Sequence, residues 1–449
     1  MTSGRLTEDE ARAFLDANPT VDWIDIFIYD LNGIARGKRL RRGDLLGIAK
    51  NGLMMPGSVF IMDPLGNCVE ETGRLWETGD PDLHCRILSG TLVPVPVGDG
   101  RHAQAVMAVE EADDLDPRTV LEKQVARLGR SGLKPVAAVE LEFYVTKQGA
   151  DGAFTLNMPD GVCDDPNRPM TFGFEDMDEL GPLIDDIYKI AAAQGLPVDA
   201  VMQETGPGQF EINLKHREDV VAAALDGLLL KRAVKAAAKA RRLDATFMAK
   251  PHHDWAGSGM HVHVSLCDES GRNVFAGEPI SDLFRNALGG LRETMPDLMA
   301  IWAQTANAYR RYVPRAYVSL AAHWGYNNRT VALRIPRCSG QAMRVEHRVA
   351  GACANPYLVL AGILAGVEHG IANRIDPGPA AEGNAEELAA PSLPTSWNSA
   401  LELFEKSPFV SQAFGTDFQD VFARLKHTER RNFERIVTPL DHLWYARVA

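Results

Sequence analysis

The segment VAAVELEFYV, residues 136–145, decides the fold class. Val139, Leu141, Phe143 and Val145 fall on one side of a period-2 alternation, and Glu140 and Glu142 fall on the other. Successive strand residues point to opposite faces, so this is a strand with one apolar face and one acidic face. Four further segments alternate in the same way. QFEINL sets Phe210, Ile212 and Leu214 against Glu211 and Asn213. GMHVHVSL sets Met260, Val262, Val264 and Leu266 against His261, His263 and Ser265. TVALRIP sets Val331, Leu333 and Ile335 against Arg334, and MRVEHRV puts Arg344, Glu346 and Arg348 on one face. A sheet built from these strands buries its aliphatic side and gathers glutamates, histidines and arginines on the other.

For any single strand, a solvated outer face is the plain alternative. As a set they read differently, because a solvated face favours Lys, Thr and Gln, whereas this one carries Glu, His and Arg. Two carboxylates spaced Glu-x-Glu repel unless a cation lies between them. Several carboxylates with few imidazoles and no thiolate suit Mg²⁺ or Mn²⁺ better than Zn²⁺. Arginines nearby suit carboxylate or phosphate oxygens, which match the planar guanidinium fork. Divalent metal and arginine clamps together point to phosphoryl transfer. A G-x-S-x-G elbow, a Walker A loop and a usable dinucleotide fingerprint are all absent from the sequence.

Outward from these strands, TEDEARAF carries Thr7 and Glu10 at capping-box spacing, and Asn32-Gly33 marks a hairpin. Short strands broken by Gly and Pro continue to about Gly100, forming a small β-rich N-terminal domain. Asp116 and Pro117 then open a helix that Gly132 follows, with the domain boundary just before it near Val109. A long helix runs on from Glu218, and residues 376–394 read as an exposed Pro/Ala/Glu/Gly-rich loop. The chain has 449 residues and a formal net charge of −13, which disfavours non-specific nucleic-acid binding. Six scattered cysteines without CxxC spacing read as free thiols, the N-terminus lacks a secretory core, and the longest apolar run is too short for a bilayer. These features predict a cytoplasmic chain with neither a nucleic-acid nor a membrane partner.

The runs ELEFY at Glu140, QETGPGQFEINL at Gln203, KPHHDWAGSGMHVHVSL at Lys250, NNRTVALRIP at Asn327 and RVEHRVAGACANPYLVLAG at Arg344 resemble the glutamine synthetase family in identity and order. The DLNGIARGK hairpin at 30–38 extends the resemblance over nearly the whole chain. It implies an α+β fold, with a small β-grasp-like N-terminal domain at 17–108 and a glutamine synthetase-type catalytic domain at 109–449 whose curved antiparallel sheet is flanked by helices. It also implies a homododecamer of two hexameric rings with active sites shared between subunits, two to three Mg²⁺ or Mn²⁺ ions per site, and L-glutamate, ATP and an amine as substrates. By carry-over, one metal takes Glu142, Glu204 and Glu211, and a second takes Glu140, His261 and Glu346. Glutamate would meet Arg311, Arg329, Arg348 and the Gly257 region. ATP phosphates would meet Arg334 and Arg344, with His263 and Ser265 near the nucleotide. His252 and His253 are read as structural.

Two departures bear on the amine. Ammonia-using members carry an Asp in the N-terminal domain and a Glu in an R-x-V-P-x-x-E flap, which together hold ammonium. Here MMPGSVF puts Pro56 at the first position and RRYVPRAY puts Tyr317 at the second. The box has lost charge and gained apolar bulk. With HWGYNNRTVALRIP and VEETGRLWETGDPD, this resembles the γ-glutamylpolyamine synthetase branch, whose relatives act on ethanolamine, methylamine, isopropylamine or anilines. The alternatives are an ordinary glutamine synthetase with a substituted flap, or a non-catalytic assembly. For a diamine, Asp63, Glu70 and Glu71 are candidates for holding the distal charge.

Overall fold

A computed structural model describes residues 4–111, 113–165, 171–390 and 392–448. The strands are β1 (Trp23–Tyr29), β2 (Ala35–Arg41), β3 (Leu53–Pro56), β4 (Asp82–Ile87), β5 (Val93–Val95), β6 (His102–Val109), β7 (Lys134–Lys147), β8 (Val198–Gln203), β9 (Gln209–Leu214), β10 (Leu243–Thr246), β11 (Met260–Cys267), β12 (Trp324–Tyr326), β13 (Leu333–Ile335) and β14 (Val345–His347). They form two sheets, and helices make up most of the remaining regular structure.

The first sheet runs β2-β1-β6-β4-β3, with β5 also on β6. The Asn32-Gly33 turn closes the β1–β2 hairpin, where Gly33 takes φ +71 and Asp30 Oδ1 accepts from Asn32 N and Ile34 N at 2.9 Å each. β1 lies parallel to β6, the strand that ends at Val109. Thr7 and Glu10 form the expected capping box, and Asp116 caps the helix Pro117–Gly129.

The second sheet runs β12-β13-β14-β11-β7-β9-β8, with β10 on the end of β7. All its pairings are antiparallel except β12–β13, which is parallel. The expectation of a wholly antiparallel sheet is corrected there: each of these strands has only three residues, so a short loop can return the chain in the same direction. Under the sheet, Phe143 lies opposite Phe210, with ring centroids 6.1 Å apart, and Phe247 sits 5.3 Å from Phe143. Each buried aromatic is worth about 2–3 kcal/mol. A one-residue slip would turn all of them to the wrong side, so the aromatic layer holds the register that presents the polar face.

The helix Val220–Ala240 packs beneath β7 and β10. It also meets the first sheet: Arg232 donates to Gln104 Oε1 at 2.7 Å and to Asp25 Oδ2 at 2.8 Å. The helices Asp282–Trp302 and Pro356–Asn373 pack closely through glycines; a Cβ on Gly290 would lie 2.2 Å from Gly366 O. Residues 376–394 are not simply an exposed loop. Ala385 is fully buried and Leu393 nearly so. The segment is anchored where Asn328 Nδ2 donates to Gly383 O at 2.8 Å and Ala385 N donates to Thr330 Oγ1 at 3.0 Å. Its small Ala residues allow a close approach that composition alone hides; Pro391 lies outside the described residues. Among the described residues no helix is long and apolar enough to cross a membrane.

Candidate active site

Strand register assembles the polar face. Glu142 lies directly opposite Glu211, Glu140 opposite His261, His263 opposite Glu346, and Arg334 opposite Glu346. The alternation thus becomes one continuous patch across β9, β7, β11, β14 and β13.

On this patch two groups of ligand atoms lie within 4.8 Å of one another, Glu140, Glu211 and His261, and Glu140, His263 and Glu346; a third, His252, His253 and Asp254, lies on the largely exposed segment before β11. His261 Nδ1 is 3.4 Å from Glu140, 3.9 Å from Glu346 and 4.0 Å from Glu211, and its Nε2 is 3.9 Å from Glu142. His263 Nε2 is 2.9 Å from Glu140. This grouping differs in detail from the two triplets the resemblance implies, since His263 joins Glu346 and Glu142 stands outside both groups. Glu142 instead accepts from Gly259 N at 2.8 Å. Glu204 enters the same field through its charge.

Burial, together with Glu140, Glu142, Glu204 and Glu346, pushes Glu211 up to about 9. Burial and Glu142 push Glu204 up to about 7, although Arg329 and Arg348 oppose them. On the other side of the patch, burial would raise Glu346, but His261, Arg348, His263 and Arg334 outweigh it and hold it at about 2. Burial likewise opposes ionisation of Glu140, yet its bonds with His261 and His263 keep it far below the usual carboxylate range. The acids nearest Arg and His are therefore balanced, whereas at Glu204 and Glu211 the nearby positive charge does not offset burial and the neighbouring carboxylates. A hard dication fits that donor set of carboxylate oxygens and imidazole.

Three arginines ring the patch, all with a buried Nε–H that has no hydrogen-bond partner among the described residues: Arg311, Arg334 and Arg348. Arg334 donates to Glu346 Oε2 at 2.7 Å and to Asn327 Oδ1 at 2.9 Å, and Arg348 pairs with the other oxygen of Glu346. Arg311 is 3% exposed and donates to Val349 O at 3.3 Å. Gly257 leaves it room, because a Cβ there would sit 2.7 Å from Arg311 Cγ. Buried donors are ordinarily paired, so three unpaired ones around one patch mark where anionic oxygens would be accepted.

Arg344 Nε donates to His263 Nδ1 at 3.2 Å, and with Ser265 it lines an adjoining cavity of about 980 Å³. Arg329 is exposed, and its charge reaches Glu204. Tyr317 is 67% exposed and takes φ +52 on the flap, two residues after Arg315 at φ +61. Arg315 N donates to the Glu386 carboxylate at 2.9 and 3.1 Å, tying the flap to the 376–394 segment. Pro56 is not grouped with the carboxylates in this chain; it ends edge strand β3 of the other sheet, opposite Asp82. Asp63, Glu70 and Glu71 share a separate cavity of about 640 Å³. Glu70 there accepts from Trp76, Glu71 accepts from Arg431, and Asp63 holds its own turn.

Sequence reasoning missed Gly259, whose N–H fixes Glu142 and whose Cβ would crowd Arg311 and His261. It also missed Asn327, which steers Arg334, and His216, whose ring lies 5.8 Å from that of His263. Burial, His263 and Arg344 lower His216 to about 4. His216 follows β9 after its alternation stops, so period-2 counting could not reach it.

The profile described as "Glutamine synthetase, catalytic domain" matches residues 114–445. The chain belongs to the glutamine synthetase family. It is 38% identical to gamma-glutamylputrescine synthetase of Escherichia coli K12, over 99% of this chain and 96% of that protein. It is 31% identical to a glutamate–isopropylamine ligase of a Pseudomonas species, over 93% of each. A solved structure of GmaS without ligand superposes with a TM-score of 0.83 at 24% identity, covering 97% of this chain and 99% of that one, which supports the fold. Both α+β sheets therefore belong to a glutamine synthetase-like architecture.

Proposed function

We propose that this enzyme joins an alkylamine to the γ-carboxylate of L-glutamate, using ATP and passing through γ-glutamyl phosphate. The observation that carries this reading is the carboxylate–imidazole patch ringed by three guanidiniums, each with a buried Nε–H that has no hydrogen-bond partner among the described residues. A full-length relative that makes γ-glutamylputrescine, and another that ligates isopropylamine, support an organic amine over ammonia.

A carboxylate is a poor acyl donor because an oxide would have to leave. Transfer of the γ-phosphoryl group of ATP onto the glutamate side chain gives an acyl phosphate, and ADP departs. The amine then attacks the acyl carbon, forms the C–N bond, expels phosphate and loses a proton. Mg²⁺ or Mn²⁺, when bound, neutralises charge on the phosphoryl oxygens. In this reading Glu142, Glu204 and Glu211 would hold one metal, and Glu140, His261 and Glu346 would hold a second, with His263 within reach. Arg311, Arg329 and Arg348, with Gly257, seat glutamate. Arg334 and Arg344 meet the phosphates, and Ser265, His263 and the neutral His216 ring face the nucleotide. Tyr317 faces the amine, as would Pro56 supplied by a neighbouring subunit of the dodecamer. With no distal acid assigned, putrescine and simpler alkylamines are separated by experiment. A cytoplasmic location fits these substrates.

The test is ATP- and glutamate-dependent phosphate release across ammonium, monoamines, diamines and polyamines, with the γ-glutamyl product identified by mass. An organic amine should exceed ammonium in kcat/KM. Saturable glutamine formation at millimolar ammonium, with no response to any amine, would return the chain to the ordinary glutamine synthetases.

A further inference from the structure

Away from the carboxylate patch, a cavity of about 860 Å³ opens where the first sheet meets the helix Val220–Ala240. One wall carries Lys231, Lys235 and Lys239. Their i, i+4, i+8 spacing makes one stripe about 12 Å long. Lys235 Nζ lies 6.0 Å from the centroid of the Phe247 ring, and neither it nor Lys239 has an acidic partner among the described residues. The arginines nearby are already spent, since Asp25 takes both Arg39, at 2.6 Å, and Arg232, at 2.8 Å.

The facing walls are polar and unsatisfied. Tyr29 is 5% exposed, Gln104 1% and Gln194 9%, yet the Tyr29 hydroxyl, Gln104 Nε2 and Gln194 Oε1 have no hydrogen-bond partner among the described residues. Arg232 occupies the Gln104 oxygen at 2.7 Å, so the amide N–H₂ is what remains. Burial pushes the Tyr29 hydroxyl well above its ordinary range, so it stays a donor. Lys235 and Lys239 stand exposed at the rim, and the Gln104 amide and the Tyr29 phenol lie deeper; with Asp25 already paired to the arginines, Asp99 is the other acid on the lining, so donors outnumber free carboxylates, which is the chemistry that holds carboxylates and phosphates.

The cavity also has a route to the active site. Lys231 Nζ donates to Ala354 O at 2.7 Å, and Ala354 N donates to Gly351 O at 2.9 Å. Gly351 backs Arg311 so closely that a Cβ there would lie 3.4 Å from its NH1. Burial pushes Lys231 down to about 7; an anion that favours its charged form and draws it away releases the Ala354 carbonyl, one hydrogen bond and one packing contact from Arg311, the residue read above as seating glutamate.

We propose that this cavity binds a small polyanion, a dicarboxylate or a phosphate monoester, as an effector of glutamate affinity. The effect on glutamate rests on the reading of Arg311 above; binding itself does not. The test titrates succinate and, separately, glycerol 3-phosphate into the full-length enzyme saturated with Mg²⁺, ADP and glutamate, which fill the active site, and measures heat. One of the two should bind, identifying which anion class the site takes, and glutamate KM should move at least twofold when it does. Lys235→Ala with Lys239→Ala, a change that keeps helix propensity, should weaken binding at least tenfold and leave kcat without the anion within twofold. Tyr29→Phe, which adds no bulk, should also weaken it. Binding by neither anion, binding indifferent to these variants, or binding without any change in glutamate KM would each overturn the proposal.

Discussion

Replacing Arg348 by Lys isolates geometry from charge. Arg348 is 5% exposed, pairs with Glu346, and holds a buried Nε–H without a partner among the described residues. Arg348→Ala would be a poor probe: removing one partner of a buried ion pair costs about 3–5 kcal/mol through the charge left behind, and that loss would hide any effect on substrate. Lys keeps the positive charge, so Glu346 remains compensated, but the planar fork is lost. A hydrogen bond to a charged group is worth about 1.5–3 kcal/mol. At about 1.4 kcal/mol per factor of ten, kcat/KM for glutamate should fall roughly 10- to 140-fold. The assay is phosphate release with glutamate varied at saturating ATP and amine, with melting temperature as the folding control. Arg334→Lys provides the contrast: Arg334 shares Glu346 from the other side but also bonds Asn327, and its loss should raise the KM for ATP rather than for glutamate. If Arg348→Lys melts like the parent and keeps kcat/KM for glutamate within twofold, the unpaired donor has no part in substrate binding and the reasoning fails.

Glu142→Ala and Glu211→Ala should lose turnover while retaining helicity. Added Mg²⁺ should raise the melting temperature of the parent but not of these variants, since a site-bound ligand at 100 times its Kd stabilises by about 2.7 kcal/mol; an equal rise in all three would count against the metal assignment. Gly257→Ala, which sets a Cβ 2.7 Å from Arg311 Cγ and 3.0 Å from Ala249 O, should impair glutamate binding more than ATP binding, as read by separate KM values. Tyr317→Glu should shift the kcat/KM ratio toward ammonium, and an unchanged ratio would remove Tyr317 from the amine site. Burial pushes the Asp116 carboxyl from 3.8 up to about 7. The folded chain then keeps a proton the unfolded chain releases, so stability falls as pH rises from about 4 to about 7. Asp116→Asn removes that slope, and a melting-temperature difference that stays constant across the window would refute the cause.

What the sequence could reveal divides along a physical line. Period-2 alternation is a local property of one strand, and it is why Glu140, Glu142, Glu211, His261, His263, Arg334 and Glu346 were legible as one polar face before their strands were paired. Register is not local. That Glu142 faces Glu211 while His263, rather than His261, groups with Glu346 depends on how β7, β9, β11 and β14 slide past each other, and the Phe143, Phe210 and Phe247 layer beneath them sets that. The same division accounts for the errors. Residues 376–394 look like a solvent loop because alanine carries no pattern, yet Ala385 is buried and Glu386 clasps the flap backbone at Arg315. The positive φ of Arg315 and Tyr317 is equally silent, because neither residue is of a type that favours it. Lys231, Tyr29, Gln104 and Gln194 come from four separate elements, and no spacing rule joins them. Long-range packing is therefore the level at which this chain's chemistry departs from its strand pattern, and residues brought together only by packing are where function beyond the shared ligase reaction should be sought.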